Sequence, residues 1–200
     1  MTGAKELGPV QSVALAPAIL PIDTNFTGSR ASLAASFTDG ALFSTMGGVS
    51  PATNTGAWEP FRAYDQAPPY GPGARPGRIA DVALVTVGGG GITDPNTYVC
   101  VTRSGPDPDI FCATDSSAGW GLWENLEHAT IPGFPFPIDF EPGHFDQVSA
   151  AKTTEGLHVV GVASGQIFHQ LRSDTSPIFR DVELVGAGQE VGYFVAVACG

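Results

Sequence analysis

Aromatic and charged side chains recur together along this chain, and each pair could bind a sugar. A flat aromatic ring covers the apolar C–H side of a pyranose, while Arg or Glu hydrogen-bonds its hydroxyls. We expect Trp58, Trp123 and Phe179 to occupy equivalent places in three repeated units. The charged residues that follow these rings could supply the polar half: Arg62, Glu124 and Arg180. Packing aromatic residues and solvated strand ends would also recur in this way.

Trp120 is the best single candidate for a stacking ring. It lies in the Gly-flanked turn Ala118–Gly121, and we expect no counterpart for it in the other units. An aromatic residue in a loop is less easily explained by core packing. His169 and Arg172 are further sugar-binding candidates, and the alternative is that they fix one strand to its neighbour.

The spacings that catalysis or metal binding requires are absent from the sequence. The four histidines are not spaced as metal ligands, and there is no Cys-x-x-Cys pair and no Gly-x-Ser-x-Gly elbow. A glycosidase needs two carboxylates roughly 5–10 Å apart, and a chain with 20 acidic residues always offers meaningless pairs. The sequence therefore predicts no catalytic residues, no metal and no cofactor.

Composition and charge narrow the class of protein. The 200 residues are 42% hydrophobic, and 26 Gly and 17 Pro are too few for a low-complexity chain. The net charge of -11 argues against nucleic acid and against anionic membrane surfaces. No apolar stretch approaches the ~20 residues that would span a bilayer, and no signal peptide is recognised. The compartment stays open, with secretion as one option.

Two of the three cysteines flank one turn. Cys100 and Cys112 are centred on Pro106, so an ordinary hairpin would place them opposite each other. They are then either a cross-strand disulfide or two small buried hydrophobic residues. Cys199 lies in an apolar strand and is expected to be buried.

The chain repeats one pattern in three units, at about residues 10–64, 79–127 and 145–183, and a further strand at 191–199 begins a fourth. The aliphatic-Phe pairs that fix the alignment are Leu42-Phe43, Ile110-Phe111 and Ile167-Phe168. Four short strands per unit with a period in the forties are typical of a β-propeller blade. The sequence predicts an all-β propeller of about three four-stranded blades plus one strand, in a ring that is partial or completed by an oligomer.

The third unit resembles a known family of repeats. Its stretch LHVVGVASGQIFHQLRSDTSPIFRDV, residues 157–182, is similar to the repeats of bacterial tectonin-like and PLL-like fucose-binding propeller lectins. The resemblance covers the third unit closely and the other two loosely. His169 and Arg172 match the family motif. The resemblance implies a propeller fold with sugar bound in clefts between adjacent blades.

These observations predict a non-enzymatic, lectin-like propeller whose partners are glycans or glycoconjugates. A structural or protein-interaction propeller is the alternative, and a fragment of a propeller glycoside hydrolase is less favoured. A homo-oligomer that completes the ring is a further expectation.

Overall fold

The computed structural model describes residues 8–18, 29–50, 55–58, 60–63, 77–86, 97–103, 109–116, 119–121, 123–126, 145–175, 179–180 and 182–185. These residues form three antiparallel sheets and no helix, which confirms the all-β prediction. No helix that could cross a membrane occurs among them. The predicted first strand of a fourth unit, at 191–199, lies outside the described residues.

Each predicted unit contains one sheet. The first sheet contains β1 (Val10–Ala18), β2 (Ser29–Phe37), β3 (Leu42–Ser50), β4 (Thr55–Trp58) and β5 (Arg62–Ala63). The second contains β6 (Ile79–Thr86), β7 (Thr97–Arg103), β8 (Ile110–Ser116), β9 (Gly119–Trp120) and β10 (Glu124–Asn125). The third contains β11 (Phe145–Lys152), β12 (Gly156–Ala163), β13 (Gln166–Ser173) and β14 (Glu183–Leu184).

The strands of each sheet pair in chain order, as expected for successive hairpins. The order is β1-β2-β3-β4 in the first sheet, with β5 also on β3, and β11-β12-β13-β14 in the third. In the second sheet β6, β7, β8 and β10 follow one another, and β9 also pairs with β8. Ser164 and Gly165 join β12 to β13 with φ of 51° and 75°. Two positive φ angles match the tight turn whose twist suits a hairpin.

The same irregularity in all three sheets shows that the units share one architecture. The first two strands of each sheet skip a residue at a bulge, between Val10 and Ser12, Ile79 and Asp81, and Phe145 and Gln147. Counting from the bulges places the three aliphatic-Phe pairs at equivalent positions on β3, β8 and β13. A bulge bends the strand that carries it, so a bulge at the same place in each sheet is a regular feature of this architecture.

The expected equivalence of Trp58, Trp123 and Phe179 is wrong. Trp58 lies opposite Gly47, and Trp120 lies opposite Asp115, at the equivalent position of β8. The backbone N–H of Arg180 donates to Leu171 at 2.8 Å, as Gly121 does to Thr114 at 2.7 Å. The equivalent residues are therefore Trp58, Trp120 and Phe179, and Trp120 does have counterparts.

The set of equivalent charged residues on the outermost strands also differs from the expected one. Arg62 lies opposite Ser44, Glu124 opposite Cys112 and Glu183 opposite His169. The third member of the expected set is thus Glu183 rather than Arg180. The sequence-based alignment of the units matched Arg180 to Glu124, because Phe179-Arg180 resembles Trp123-Glu124 locally. The strand pairing, which depends on residues further along the chain, matches Glu183 to Glu124 instead.

Each sheet has two faces, because successive side chains of a strand alternate in direction. We call the face of Val13, Val82 and Val148 the leading face, and that of Leu42, Ile110 and Ile167 the trailing face. Leu42 packs in one core cluster with leading-face residues of the second sheet. Ile110 packs in a second cluster with leading-face residues of the third. The trailing face of one sheet thus packs on the leading face of the next, twice in succession.

Asp81 ties the first strands of all three sheets together. Its carboxylate accepts the hydroxyl of Ser12 on β1 and, at 3.0 Å, the backbone N–H of Val148 on β11. Its own N–H, freed from the ladder by the bulge, donates to Thr102 Oγ1 at 3.1 Å. Hydrogen bonds to a charged group contribute more than neutral ones. Asp81 therefore holds the three sheets in register at β6.

Cys100 and Cys112 form a disulfide, which settles the alternatives that the sequence left open. They are directly opposed on β7 and β8, and both are fully buried. Cys112 belongs to the core cluster between the second and third sheets. The cross-link reinforces the strand pair on which that core is built.

Candidate functional site

Trp58 presents an open aromatic ring at the edge of the first sheet. A Cβ placed on Gly47 would lie 2.4 Å from Trp58 Cδ2, so the indole rests directly on the glycine backbone. The side chain is 53% exposed. One side of the ring is therefore supported by the sheet, and the residue still offers a large aromatic surface to solvent.

Further aromatic rings lie on the leading face of the first sheet. Phe61 is exposed, and its ring meets that of Phe43 edge to face, with 6.5 Å between centroids. Phe43 meets Phe37 in the same way at 5.5 Å. Edge-to-face contacts hold rings at fixed angles. The leading face of the first sheet thus carries a pre-formed aromatic row as well as the open tryptophan.

The equivalent ring of the third sheet, Phe179, is covered. It is buried, and the guanidinium carbon of Arg172 lies 6.0 Å from the centre of its ring. The same carbon lies 5.1 Å from the ring centre of Tyr98, whose hydroxyl accepts a hydrogen bond from Arg172 Nη1. Arg172 stands on β13 where Gly47 stands on β3. A large side chain at this position therefore covers the ring that glycine leaves open.

Arg172 and Glu124 both lie at the junction of the second and third sheets. Arg172 is on the leading face of the third sheet, and Glu124 is on the trailing face of the second, opposite Cys112. Burial lowers the pKa of Arg172, and desolvation raises that of Glu124. No ion pair joins the two side chains in the described part of the chain. The junction therefore brings together two aromatic rings, a guanidinium and a carboxyl.

One recess within that junction is small. It is lined by Ile110, Phe145, Gly161 and Phe168 and has room for about one water molecule. Gln170 crosses the junction as a structural link, since its Nε2 donates to the carbonyls of Leu126 at 2.8 Å and Arg180 at 3.2 Å. This recess is therefore too small to hold a sugar.

The remaining predicted sugar-binding residues do not converge on Trp58. Trp123 is buried in the core cluster between the first and second sheets, where its ring is a packing element. Arg180 is exposed, and its position follows Phe179 on the third sheet. Arg62 lies opposite Ser44 and Trp58 opposite Gly47, so alternation puts the two positions on opposite faces. The side chains of Arg62 and Trp120 lie outside the described part of the structure.

His169 belongs to a polar chain on the trailing face of the third sheet. His158 Nδ1 and His169 Nε2 are 2.9 Å apart, and the two rings are stacked with centroids 5.1 Å apart. Thr153 Oγ1 lies 2.9 Å from His158 Nε2, and Glu183 Oε2 lies 3.9 Å from His169 Nδ1. Desolvation and the neighbouring His158 lower the pKa of His169, and Glu183 partly opposes them.

Sequence reasoning missed Gly47, Tyr98 and Glu183, yet one signal in the sequence points to two of them. Each aromatic residue at the Trp58 position stands four residues before the charged residue of the outermost strand: Trp58 and Arg62, Trp120 and Glu124, Phe179 and Glu183. That spacing identifies Glu183 directly, and pairing the aligned rings with the third strand identifies Gly47. The role of Tyr98 depends on the stacking of two sheets, which no spacing within one unit reveals.

No group of three or more His, Cys, Asp or Glu side chains that could hold a metal occurs among the described residues. Comparison with models of protein families, with curated proteins and with solved structures finds no match for this chain. The resemblance to tectonin-like lectins therefore stays a prediction from the motif of the third unit.

Proposed function

We propose that this chain is a non-enzymatic carbohydrate-binding protein built from propeller blades. In this proposal each sheet is one blade, and the indole of Trp58 is the surface on which a pyranose stacks. The observation that carries the proposal is the exposed ring of Trp58 held flat on Gly47. A supported ring needs no ordering when a ligand arrives, which lowers the entropic cost of binding.

Two regularities support the propeller part of the proposal. All three sheets carry the same bulge on their first strand, and each sheet packs its trailing face on the leading face of the next. Propellers repeat a four-stranded sheet radially in this manner, with the first strands nearest the axis. The bridge from Asp81 to β1 and β11 fits first strands that lie side by side around an axis.

The chemistry of the rings supports sugar binding over catalysis. On the first sheet, Trp58 offers an apolar ring to solvent. Arg172 stands apart from it, at the junction of the second and third sheets, and its guanidinium has no carboxylate partner among the described residues. Stacking and bidentate hydrogen bonding are the two interactions that recognise a pyranose. Several such positions on one molecule would raise the avidity of individually weak sites.

A glycan array that includes fucosylated and methylated sugars tests this proposal, followed by calorimetric titration of any sugar that binds. We expect Trp58→Ala to weaken binding about tenfold or more, since loss of one stacking contact removes about 1.4 kcal/mol. Gly47→Val should weaken binding similarly, because its side chain would displace the indole. The matched control is Phe179→Leu, at the equivalent but covered position.

Two results would contradict the proposal. The first is a folded protein that binds no sugar on the array. The second is a sugar whose affinity is the same for Trp58→Ala and the unaltered chain. Equal losses from Trp58→Ala and Phe179→Leu would show that the loss of binding is not specific to the open ring of Trp58.

A protein-interaction role is the second candidate, and one observation favours it. Val13, Leu15 and Phe61 expose large apolar side chains on the same face of the first sheet. Contiguous apolar surface of this kind is typical of protein interfaces. Binding of a protein that is abolished by a charge at Leu15 and unaffected by free sugars would favour this role.

A further inference from the structure

Two sheet faces are left without a partner sheet among the described residues. Stacking joins a trailing face to a leading face twice, between the first and second sheets and between the second and third. The leading face of the first sheet and the trailing face of the third take no part in either contact. These two faces are of the complementary kinds that pack on each other elsewhere in the chain.

The leading face of the first sheet carries residues of the type that are core residues in the other sheets. Val13 is 58% exposed, whereas Val82 at the equivalent position of the second sheet is 4% exposed. Leu15 is 62% exposed, and its equivalent Leu84 is 8% exposed. The pattern is apolar in both sheets, and only the second sheet has a neighbour to cover it.

The trailing face of the third sheet shows the same difference from its equivalents. Leu42 and Ile110 are buried under the following sheet, whereas Ile167 at the equivalent position is only half-buried. Val160, which is paired with His169 beside it, is also half-buried. Apolar side chains are therefore available at this end of the stack as well, beside the polar chain that contains His169.

We infer that these two faces bind each other between two copies of this chain. The leading face of the first sheet packs on the trailing face of the third sheet of the partner, and the reciprocal contact forms by twofold symmetry. The two contacts are identical, so both uncovered faces of both chains are used and the assembly closes. Six sheets then surround one axis, within the range of about 4–8 blades that propellers use.

A second copy fits this face better than an unrelated partner. The contact repeats one that the chain already makes twice, so the required shape is present in every copy. No charged residue stands at the described leading-face positions of β1, β2 and β3, which suits a sheet face better than a charged ligand. This inference rests on the propeller arrangement of the proposed function and does not depend on sugar binding. It places Trp58 at the junction of two copies, as Phe179 lies at the junction of the second and third sheets.

Light scattering coupled to size exclusion tests the inference on the full chain. We expect a mass of about 41 kDa, twice the 20.6 kDa of one chain. Leu15→Glu should give a folded monomer at the same concentration, because an unpaired charge would be buried in the contact. Leu15 is exposed in the single chain, so far-ultraviolet circular dichroism should stay unchanged. The control is Gln166→Glu, an exposed position on the covered side of the third sheet.

Ile167→Glu identifies which faces meet. A contact between leading and trailing faces predicts that Ile167→Glu also gives a monomer, whereas a dimer of two leading faces would survive it. Mixing the Leu15→Glu and Ile167→Glu chains should restore a dimer, since one of its two contacts then has no altered residue. A monomeric unaltered chain, an assembly of another size, or a dimer that persists in either variant would overturn the inference.

Discussion

The first and third sheets carry an aromatic ring at the same place and use it differently. Trp58 is supported from below by Gly47 and is open, whereas Phe179 is covered by Arg172, which also stacks on Tyr98 of the second sheet. The pairing of the first three strands and the position of the ring beside the third strand are equivalent in the two sheets. The residue on the third strand is thus one reason why the ring is open in the first sheet and covered in the third.

The leading faces that carry those two rings also differ in exposure, because the third sheet has a neighbouring sheet packed on this face and the first sheet has none among the described residues. Hydrophobic stabilisation is proportional to the apolar area that is removed from water. Identical apolar patterns therefore contribute to stability at the junction of two sheets and contribute little on the open face of the first. This contrast makes matched substitutions at equivalent positions informative.

Leu84→Ala and Leu15→Ala should give the largest difference in stability. Truncation of a buried leucine leaves a cavity and lowers the free energy of unfolding by about 2–5 kcal/mol, so we expect this range for Leu84→Ala. For Leu15→Ala we expect a change within about 0.5 kcal/mol in the monomer. Urea unfolding at several protein concentrations measures both. Equal losses at concentrations where the chain is monomeric would show that Leu15 is covered within a single chain.

Gly161→Ala and Gly47→Ala should separate stability from the position of a side chain. A Cβ at Gly161 would lie 2.5 Å from Ile110 Cδ1 and 2.6 Å from Phe145 Cδ1, inside the junction. Overpacking of this kind lowers stability by about 1–3 kcal/mol. At Gly47 the added methyl meets the exposed indole of Trp58, which can swing into solvent. We therefore expect a smaller loss of stability there and a shift of tryptophan fluorescence.

The matched control for both glycines is Gly8→Ala, where an added Cβ meets only Thr38 Oγ1 at 3.8 Å. Its free energy of unfolding should change by less than about 0.5 kcal/mol. A Gly47 variant that is as unstable as the Gly161 variant, with unchanged fluorescence, would mean that Trp58 is fixed by contacts other than its glycine support.

The part of this fold that sequence predicts well is the part that local patterns determine. Turn residues, apolar strands and the aliphatic-Phe pairs place three units of successive antiparallel strands, because strand periodicity and turn chemistry act over a few residues. The fifth strand of the first and second sheets was not predicted. The alignment of Trp58 with Trp120 is harder, since Trp123 stands three residues later and fits the local motif as well. Only the pairing of the outermost strands with β3, β8 and β13 separates the two tryptophans.

The candidate site was predicted less completely than the fold. Arg172 and Glu124 lie on facing sides of one junction, and Arg172 is engaged there by Tyr98 of the neighbouring sheet. The openness of Trp58 depends on Gly47, which lies 11 positions earlier and reaches it only through strand pairing. Contacts between sheets and across long hairpins determine the environment of a side chain, and the local spacing of residues does not predict these contacts.

The last prediction compares His169 on β13 with Glu124 on β10 by the effect of each on stability as the pH changes. The pKa of His169 is lowered in the folded chain. Above the ordinary pKa near 6.5 the imidazole is neutral in both states. Below it, His169 is protonated in the unfolded chain and still neutral in the folded chain. The free energy of unfolding therefore decreases as the pH decreases, until the pH passes below the pKa of His169 in the folded chain. His169→Gln should therefore make this fall shallower.

Glu124 acts with the opposite sign, because its pKa is raised in the folded chain. As the pH falls towards that raised pKa, the folded chain binds the proton more readily than the unfolded chain does, and stability rises. Glu124→Gln should therefore make the net fall below pH 6.5 steeper. Urea midpoints measured from about pH 7 to 4.5 compare the two variants with the unaltered chain. Parallel curves for all three would show that neither group titrates differently on folding, and that the open trailing face and the packed junction do not differ in their electrostatics.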